Sequence, residues 1–290
     1  MCLNTANGDI HMTIWQAILQ GAVQGLTEFL PISSSGHLSL AQHFLGLGGE
    51  KGILLFSVML HLGTLAAVFV AFFSTIKELF FEVFRTIRDI FCGKFSYKNA
   101  NETRKMLIFI ILALIPLLAF FPFKDFFAGL SEDNDIIVEG VGFLYSAALL
   151  FIADIRTKKV KTPVKMNTLR SLGVGVMQGI AVIPGISRSG STICSGLIMG
   201  ISREYMVKFS FILSIPVILA ANVTEIGGAI SEGATVGWLP IIIGMVTSAI
   251  VGWLAIKMLS WMIKNDKLYI FGVYLVFIGV FTIVSGVLGL

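Results

Sequence analysis

Most of the chain is written in apolar runs of about 20 residues, and the places where polar residues break that pattern predict its elements. Ile14 to Leu30 reads as an apolar helix, Pro31 stops it, and Ser33, Ser34, Ser35 and Gly36 open a second helix running to Leu47. That second helix is too short to cross a bilayer. Two short helices around a polar break predict a re-entrant hairpin, whose irregular backbone survives at membrane depth only beneath protein or beside a wet cavity. A second such hairpin is predicted over Ser171 to Gly200. Ile53 to Ser74, Met106 to Phe123, Ile136 to Ala153, Val207 to Ile226, Trp238 to Lys257 and Leu268 to Gly289 are continuous apolar runs, and each predicts a full span.

The two hairpins share a sequence. Sliding the chain by 154 places Gly21 on Gly175, Gln24 on Gln178, Gly25 on Gly179, Ile32 on Ile186, Ser33 on Ser187, Ser35 on Ser189 and Gly36 on Gly190. Further on the register slips by one, with Phe56, Ser57 and Leu60 falling on Phe209, Ser210 and Leu213. Residues 1–153 and 154–290 therefore read as two repeats, each a re-entrant hairpin plus three spans. Three spans is an odd number, so the second repeat is inverted relative to the first. The predicted fold is an all-α integral membrane protein of six transmembrane helices and two re-entrant hairpins in an inverted-topology repeat, which places its site near the midplane. From Ile14, about 1.5 Å per residue carries Glu28 roughly 20 Å into a slab of about 30 Å. Gly21-x-x-x-Gly25 and Gly175-x-x-x-Gly179 are expected to pack closely on neighbouring helices.

Composition agrees with a membrane protein. The 290 residues are 56 % hydrophobic and 13 % charged, with mean hydropathy +0.90. A formal charge of +4 does not point to nucleic acid, because the cations gather in two loops between apolar runs, Thr75 to Lys105 and Asp154 to Arg170. Those loops are expected inside and the acidic stretches with Asp125, Glu132, Asp133, Asp135 and Glu232 outside, which leaves both termini outside. Phe80, Phe81 and Phe84 give part of the first basic loop an amphipathic, interface-lying character. Cys2, Cys92 and Cys194 have no metal-ligand spacing and predict no disulfide framework. The first thirteen residues carry no basic region ahead of the apolar stretch, so no cleaved signal peptide is expected.

Chemistry is confined to the two hairpin tips. Both present Ser-x-Ser-Gly at a helix start, where unpaired N–H groups and a positive dipole end favour an anion. Ser33, Ser35, Ser187 and Ser189 are candidate caps and anion donors. The tips differ where it matters: Glu28 faces Val182, Ser34 faces Arg188 and His37 faces Ser191. Arg188 supplies a guanidinium fork for phosphate oxygens. Glu28 makes sense as a proton acceptor, as a ligand to a divalent cation shared with phosphates, or as a buried partner of Arg188. His37, in the first turn of its helix, favours the neutral imidazole that accepts a proton. Hydroxyl, imidazole, carboxylate and arginine around an anion cradle describe phosphoryl transfer, with Ser34 or His37 as the attacking group. A transporter or flippase of an anionic lipid or small anion is the other reading that inverted repeats allow. His61 sits well inside a span and reads equally as a packing residue.

The run Q-x-x-x-E at Gln24 to Glu28, P-x-S-S-S-G-H at Pro31 to His37, P-G-x-S-R-S-G-x-T at Pro184 to Thr192 and F-S-F-x-L-S-x-P at Phe209 to Pro216 resemble the undecaprenyl-diphosphate phosphatase family of bacteria. The resemblance covers essentially the whole chain. It implies hydrolysis of undecaprenyl diphosphate to the monophosphate carrier lipid, at an outward-facing site in the cytoplasmic membrane, with magnesium or calcium support and with bacitracin competing for the substrate. Carried over by matching positions, Glu28, Ser34, His37 and Arg188 form the implied catalytic set, with Gln24, Ser187 and Thr192 around them. Gln24 stands where many members of that family have glutamate, and His61 where glutamine is common. Oligomeric state is left open by the sequence.

Overall fold

The structure, a computed structural model, describes residues 12–45, 51–129, 136–160, 162–231 and 237–289. Cys2, the turn over residues 48–50, Glu132, Asp133, Asp135, Lys161 and Glu232 lie outside the described residues. The first apolar run forms α1 (Ile14–Phe29), opened by a capping box in which Thr13 and Gln16 satisfy each other's backbone N–H groups. After Pro31 comes α2 (Ser34–Phe44), capped by Leu45; its predicted end at Leu47 lies outside the described residues.

Helix α3 (Lys51–Ala71) is the first apolar helix of spanning length, and α4 (Phe73–Phe91) follows at once. The predicted basic loop is thus mostly helix. Its Phe80, Phe81, Phe84 and Phe91 are exposed on one side, while Glu82 on the other is buried against Arg104. This is an amphipathic arrangement of the kind an interface-lying helix has. Then come α5 (Glu102–Phe120), a short 3-10 turn, α6 (Lys124–Gly129) and α7 (Ile137–Lys159). Helix α7 continues past the predicted end of its span, so Arg156, Lys158 and Lys159 occupy its last turn, where cations suit the dipole.

The second broken run forms α8 (Thr168–Ile180) and α9 (Arg188–Ile198), separated by a Pro184-Gly185 turn in which Gly185 has φ +79°. The rest is α10 (Arg203–Ser231), α11 (Trp238–Lys264) and α12 (Leu268–Leu288). Among the described residues six helices, α3, α5, α7, α10, α11 and α12, are long and apolar enough to cross a membrane. Among the described residues there is no strand, only one isolated bridge between Val164 and Ile201.

Glycines decide how closely the short helices sit. A Cβ at Gly21 would stand 2.6 Å from the carbonyl oxygen of Gly244, and one at Gly25 would stand 2.6 Å from that of Ser248, so α1 lies directly on α11. A Cβ at Gly175 would stand 2.3 Å from the carbonyl oxygen of Ala113, and one at Gly179 would meet the Phe120 ring, so α8 lies on α5. Both glycine pairs therefore do the packing their spacing implies. The core between them holds Phe29, Phe143, Phe209, Phe211 and Leu213, with Phe29 and Phe211 edge to face at 5.3 Å between centroids.

Candidate active site

The two breaks lie against each other. Ser189 Oγ at the start of α9 donates to the carbonyl of Leu30 at the end of α1 (3.0 Å), and Gly36 at the start of α2 packs under Phe143 and beside Gly185. Ser33 caps α2, its Oγ accepting from the Gly36 N–H, and Ser187 caps α9, its Oγ accepting from the Gly190 N–H. The two caps are not conformational copies. Ser33 has φ +71°, whereas Ser187 has φ −73° and the positive φ of its turn falls on Gly185. A serine in the left-handed half of φ space costs on the order of 1–3 kcal/mol and persists only where surrounding contacts hold it. Here they include the Ser33 carbonyl, which accepts from the His37 N–H and from His37 Nδ1.

Glu28 is the centre of the arrangement. It is 5 % exposed, at the last turn of α1. One carboxylate oxygen forms an ion pair with Arg188 of α9; the other accepts from Ser34 Oγ (2.7 Å) and Gln24 Nε2 (2.9 Å). Arg188 and Ser34, which occupy matching places in the two tips, are thus joined through one carboxylate. His61 of α3 completes the group. Its Nδ1 faces the Ser57 carbonyl at 2.9 Å and must donate there, which leaves Nε2 turned toward Glu28 at 3.6 Å, beyond direct hydrogen-bond reach.

Of the predicted residues, Gln24, Glu28, Ser34 and Arg188 meet directly. Ser33, Ser187 and Ser189 serve as caps and tip contacts, and Ser35 is exposed beside Ser33. Thr192 points inward, its hydroxyl 2.5 Å from that of Ser210 and within reach of the carbonyls of its own helix. His37 does not join the group. Its Nδ1 is held by Ser33, its Nε2 lies 2.7 Å from Tyr274 Oη, and its ring stacks on that phenol at 5.6 Å.

Sequence reasoning leaves His61 open between packing and site, and it misses Tyr274. A signal existed for His61: in the slipped register it falls on Ser214, which lines the same small cavity as Glu28, Arg188 and Ser210. That cavity measures about 10 Å³, room for one water at most.

A membrane protein with a buried carboxylate, a hydroxyl and a guanidinium converging at two helix breaks has the parts of a phosphoryl-transfer site. The family described as Bacitracin resistance protein BacA matches residues 17–281, and the chain belongs to that family. It is 40 % identical over 267 residues to the undecaprenyl-diphosphatase of Alkaliphilus metalliredigens, covering 91 % of this chain and 95 % of the relative. The undecaprenyl-diphosphatases of Halothermothrix orenii and Methanosphaera stadtmanae are each 38 % identical, over 94 % and 95 % of this chain and 98 % and 99 % of theirs.

Proposed function

We propose that the protein hydrolyses undecaprenyl diphosphate to undecaprenyl phosphate and inorganic phosphate, recycling the carrier lipid for cell-wall synthesis. Membership of the family supports the activity, and one observation carries the mechanism: the Ser34 hydroxyl donates to Glu28 while Glu28 holds Arg188. A polyprenyl diphosphate entering the bilayer-facing tips would draw the Arg188 fork onto its phosphate oxygens, freeing Glu28. Glu28 then takes the Ser34 proton as Ser34 Oγ attacks the terminal phosphorus. The Oγ–P bond forms, the bond to the bridging oxygen breaks, and the lipid monophosphate leaves. Glu28 gives its proton to the leaving bridging oxygen and is a carboxylate again; it then takes a proton from a water that attacks the phosphorus, the Oγ–P bond breaks, Ser34 Oγ recovers that proton, and inorganic phosphate leaves.

His37 is the alternative nucleophile. Its bonds to Ser33 and Tyr274 favour a role in holding the strained tip instead. Transport without cleavage is not favoured, since it has no use for a hydroxyl donating into a buried carboxylate.

A magnesium or calcium ion fits the donors in part. Among the described residues no three His, Cys, Asp or Glu side chains cluster, so the chain alone makes no closed cage. Gln24 Oε1, however, is buried without a hydrogen-bond partner beside Glu28, and a carboxylate plus an amide oxygen is hard-donor chemistry that substrate phosphates would complete. Such an ion would neutralise charge on the diphosphate, and Glu28 and Gln24 would hold it.

The packing is reciprocal: α1 of residues 1–153 lies on α11, and α8 of residues 154–290 lies on α5. This supports reading α1–α2 and α8–α9 as re-entrant hairpins of two inverted repeats. The basic ends of α4 and α7 support an orientation with residues 75–105 and 154–170 inside and both termini outside. The activity is tested by phosphate release from a polyprenyl diphosphate by purified protein. A folded protein that binds this lipid and releases no phosphate refutes it.

A further inference from the structure

A second cavity lies away from the active site. It measures about 530 Å³, within the range of small-molecule sites, and opens where the start of α5, the start of α10 and the segment before α8 converge. Helix α9 separates the two sites: Arg188 is its first residue, and Ile201, three residues beyond its end, lines the second cavity. Eleven helical residues span roughly 16 Å.

The rim of this cavity is cationic and its floor is not. Lys98 and Lys105, before and at the start of α5, and Lys165, in the segment before α8, line it above Phe109, Met166 and Tyr205. Glu102 is the carboxylate on the rim and is paired with Lys105 at 3.1 Å. Lys98 and Lys165 have no carboxylate partner among the described residues, and both are exposed. Loop lysines that merely set orientation need not gather over apolar floors. An apolar floor this large also exceeds what a free phosphate would use, and it suits the glycerol backbone and first methylenes of a lipid.

Depth agrees. The exposed phenylalanine face of α4 suits a helix lying on the membrane surface, and Arg104, at the start of α5, binds Glu82 and Asp89 of α4 (2.6 and 2.8 Å), which fastens the cavity rim to that helix. A basic pocket between membrane helices at headgroup level is suited to a phosphate headgroup. We propose that this cavity binds the phosphate-monoester headgroup of an anionic lipid, at a site separate from catalysis.

Native mass spectrometry of the detergent-purified protein tests this with dioleoyl phosphatidic acid, dioleoyl phosphatidylcholine and inorganic phosphate as probes. Wild type retains phosphatidic acid in preference to the other two. In the Lys98→Gln/Lys165→Gln variant, whose two changes are at exposed positions, retention falls about 10-fold while turnover of a short-chain polyprenyl diphosphate stays within about two-fold. A control of equal charge loss on α4, Lys77→Gln/Arg85→Gln, leaves retention unchanged. Equal retention in the cavity variant, or equal loss in the α4 control, overturns the site. Inorganic phosphate bound as tightly as phosphatidic acid overturns the lipid as its ligand.

Discussion

Replacing Glu28 by glutamine keeps the side chain's shape and removes its capacity to take a proton. In the folded protein one oxygen of Glu28 faces Arg188 and the other accepts from Ser34 and Gln24, so three donors converge on two acceptor atoms. A glutamine has one acceptor oxygen, and its amide nitrogen must face either a guanidinium or a hydroxyl. Loss of acid–base participation slows the chemical step by about 10² to 10⁴, or about 3–5 kcal/mol at 1.36 kcal/mol per tenfold. Removing one partner of a fully buried ion pair costs about 3–5 kcal/mol of stability. The Arg188 side chain is 25 % exposed and keeps one neutral acceptor, so the cost here should be nearer 1–2 kcal/mol. The assay pairs phosphate release from a polyprenyl diphosphate in micelles with binding of its non-hydrolysable methylene analogue. Expected are turnover reduced at least about 100-fold, a melting temperature lowered by a few degrees, and analogue binding retained or tightened, because a negative charge has left the anion site. Near wild-type turnover in a folded Glu28→Gln protein would refute Glu28 as base and metal ligand together.

Arg188→Lys keeps the charge and loses the fork, so turnover should drop by about 2–4 kcal/mol of transition-state stabilisation; unchanged rates would reduce Arg188 to a diffuse charge. Ser34→Ala should be inactive, and quenched wild-type reactions should yield an acid-stable phospho-adduct on Ser34. An acid-labile, base-stable adduct would move the attack to His37. Gly175→Ala pushes a methyl toward the Ala113 carbonyl and should cost about 1–3 kcal/mol in thermal unfolding, whereas Gly173→Ala meets only Met199 at 3.5 Å and should be tolerated. Equal stability of the two would contradict the α5–α8 packing. Cys92, exposed at the end of α4, should react with an impermeant thiol reagent in inside-out vesicles and not in intact cells; the reverse would invert the topology.

The order of elements was legible because a bilayer-scale apolar run and its interruption are local properties. Pro31, the serines after it and the duplicated Ser-x-Ser-Gly marked both breaks without any tertiary information. The repeat even identified Glu28 and Arg188 as the residues that differ between tips, since a duplicated frame displays its departures. Helix ends were less legible. Helix α4 reads partly as loop because its charges at helical spacing look like loop composition until the exposed phenylalanine face and the buried Glu82–Arg104 pair are seen together. His61 was not legible as a site residue because α3 is apolar on every side, so no amphipathic phase says which face meets α1. Only the close approach of helices decided that His61 turns toward Glu28 while His37, three residues after Ser34 in sequence, faces Tyr274 of α12. Sequence spacing specifies which residues share a helix, and the rotation of each helix in its glycine-lined contacts specifies which of them gather around one carboxylate.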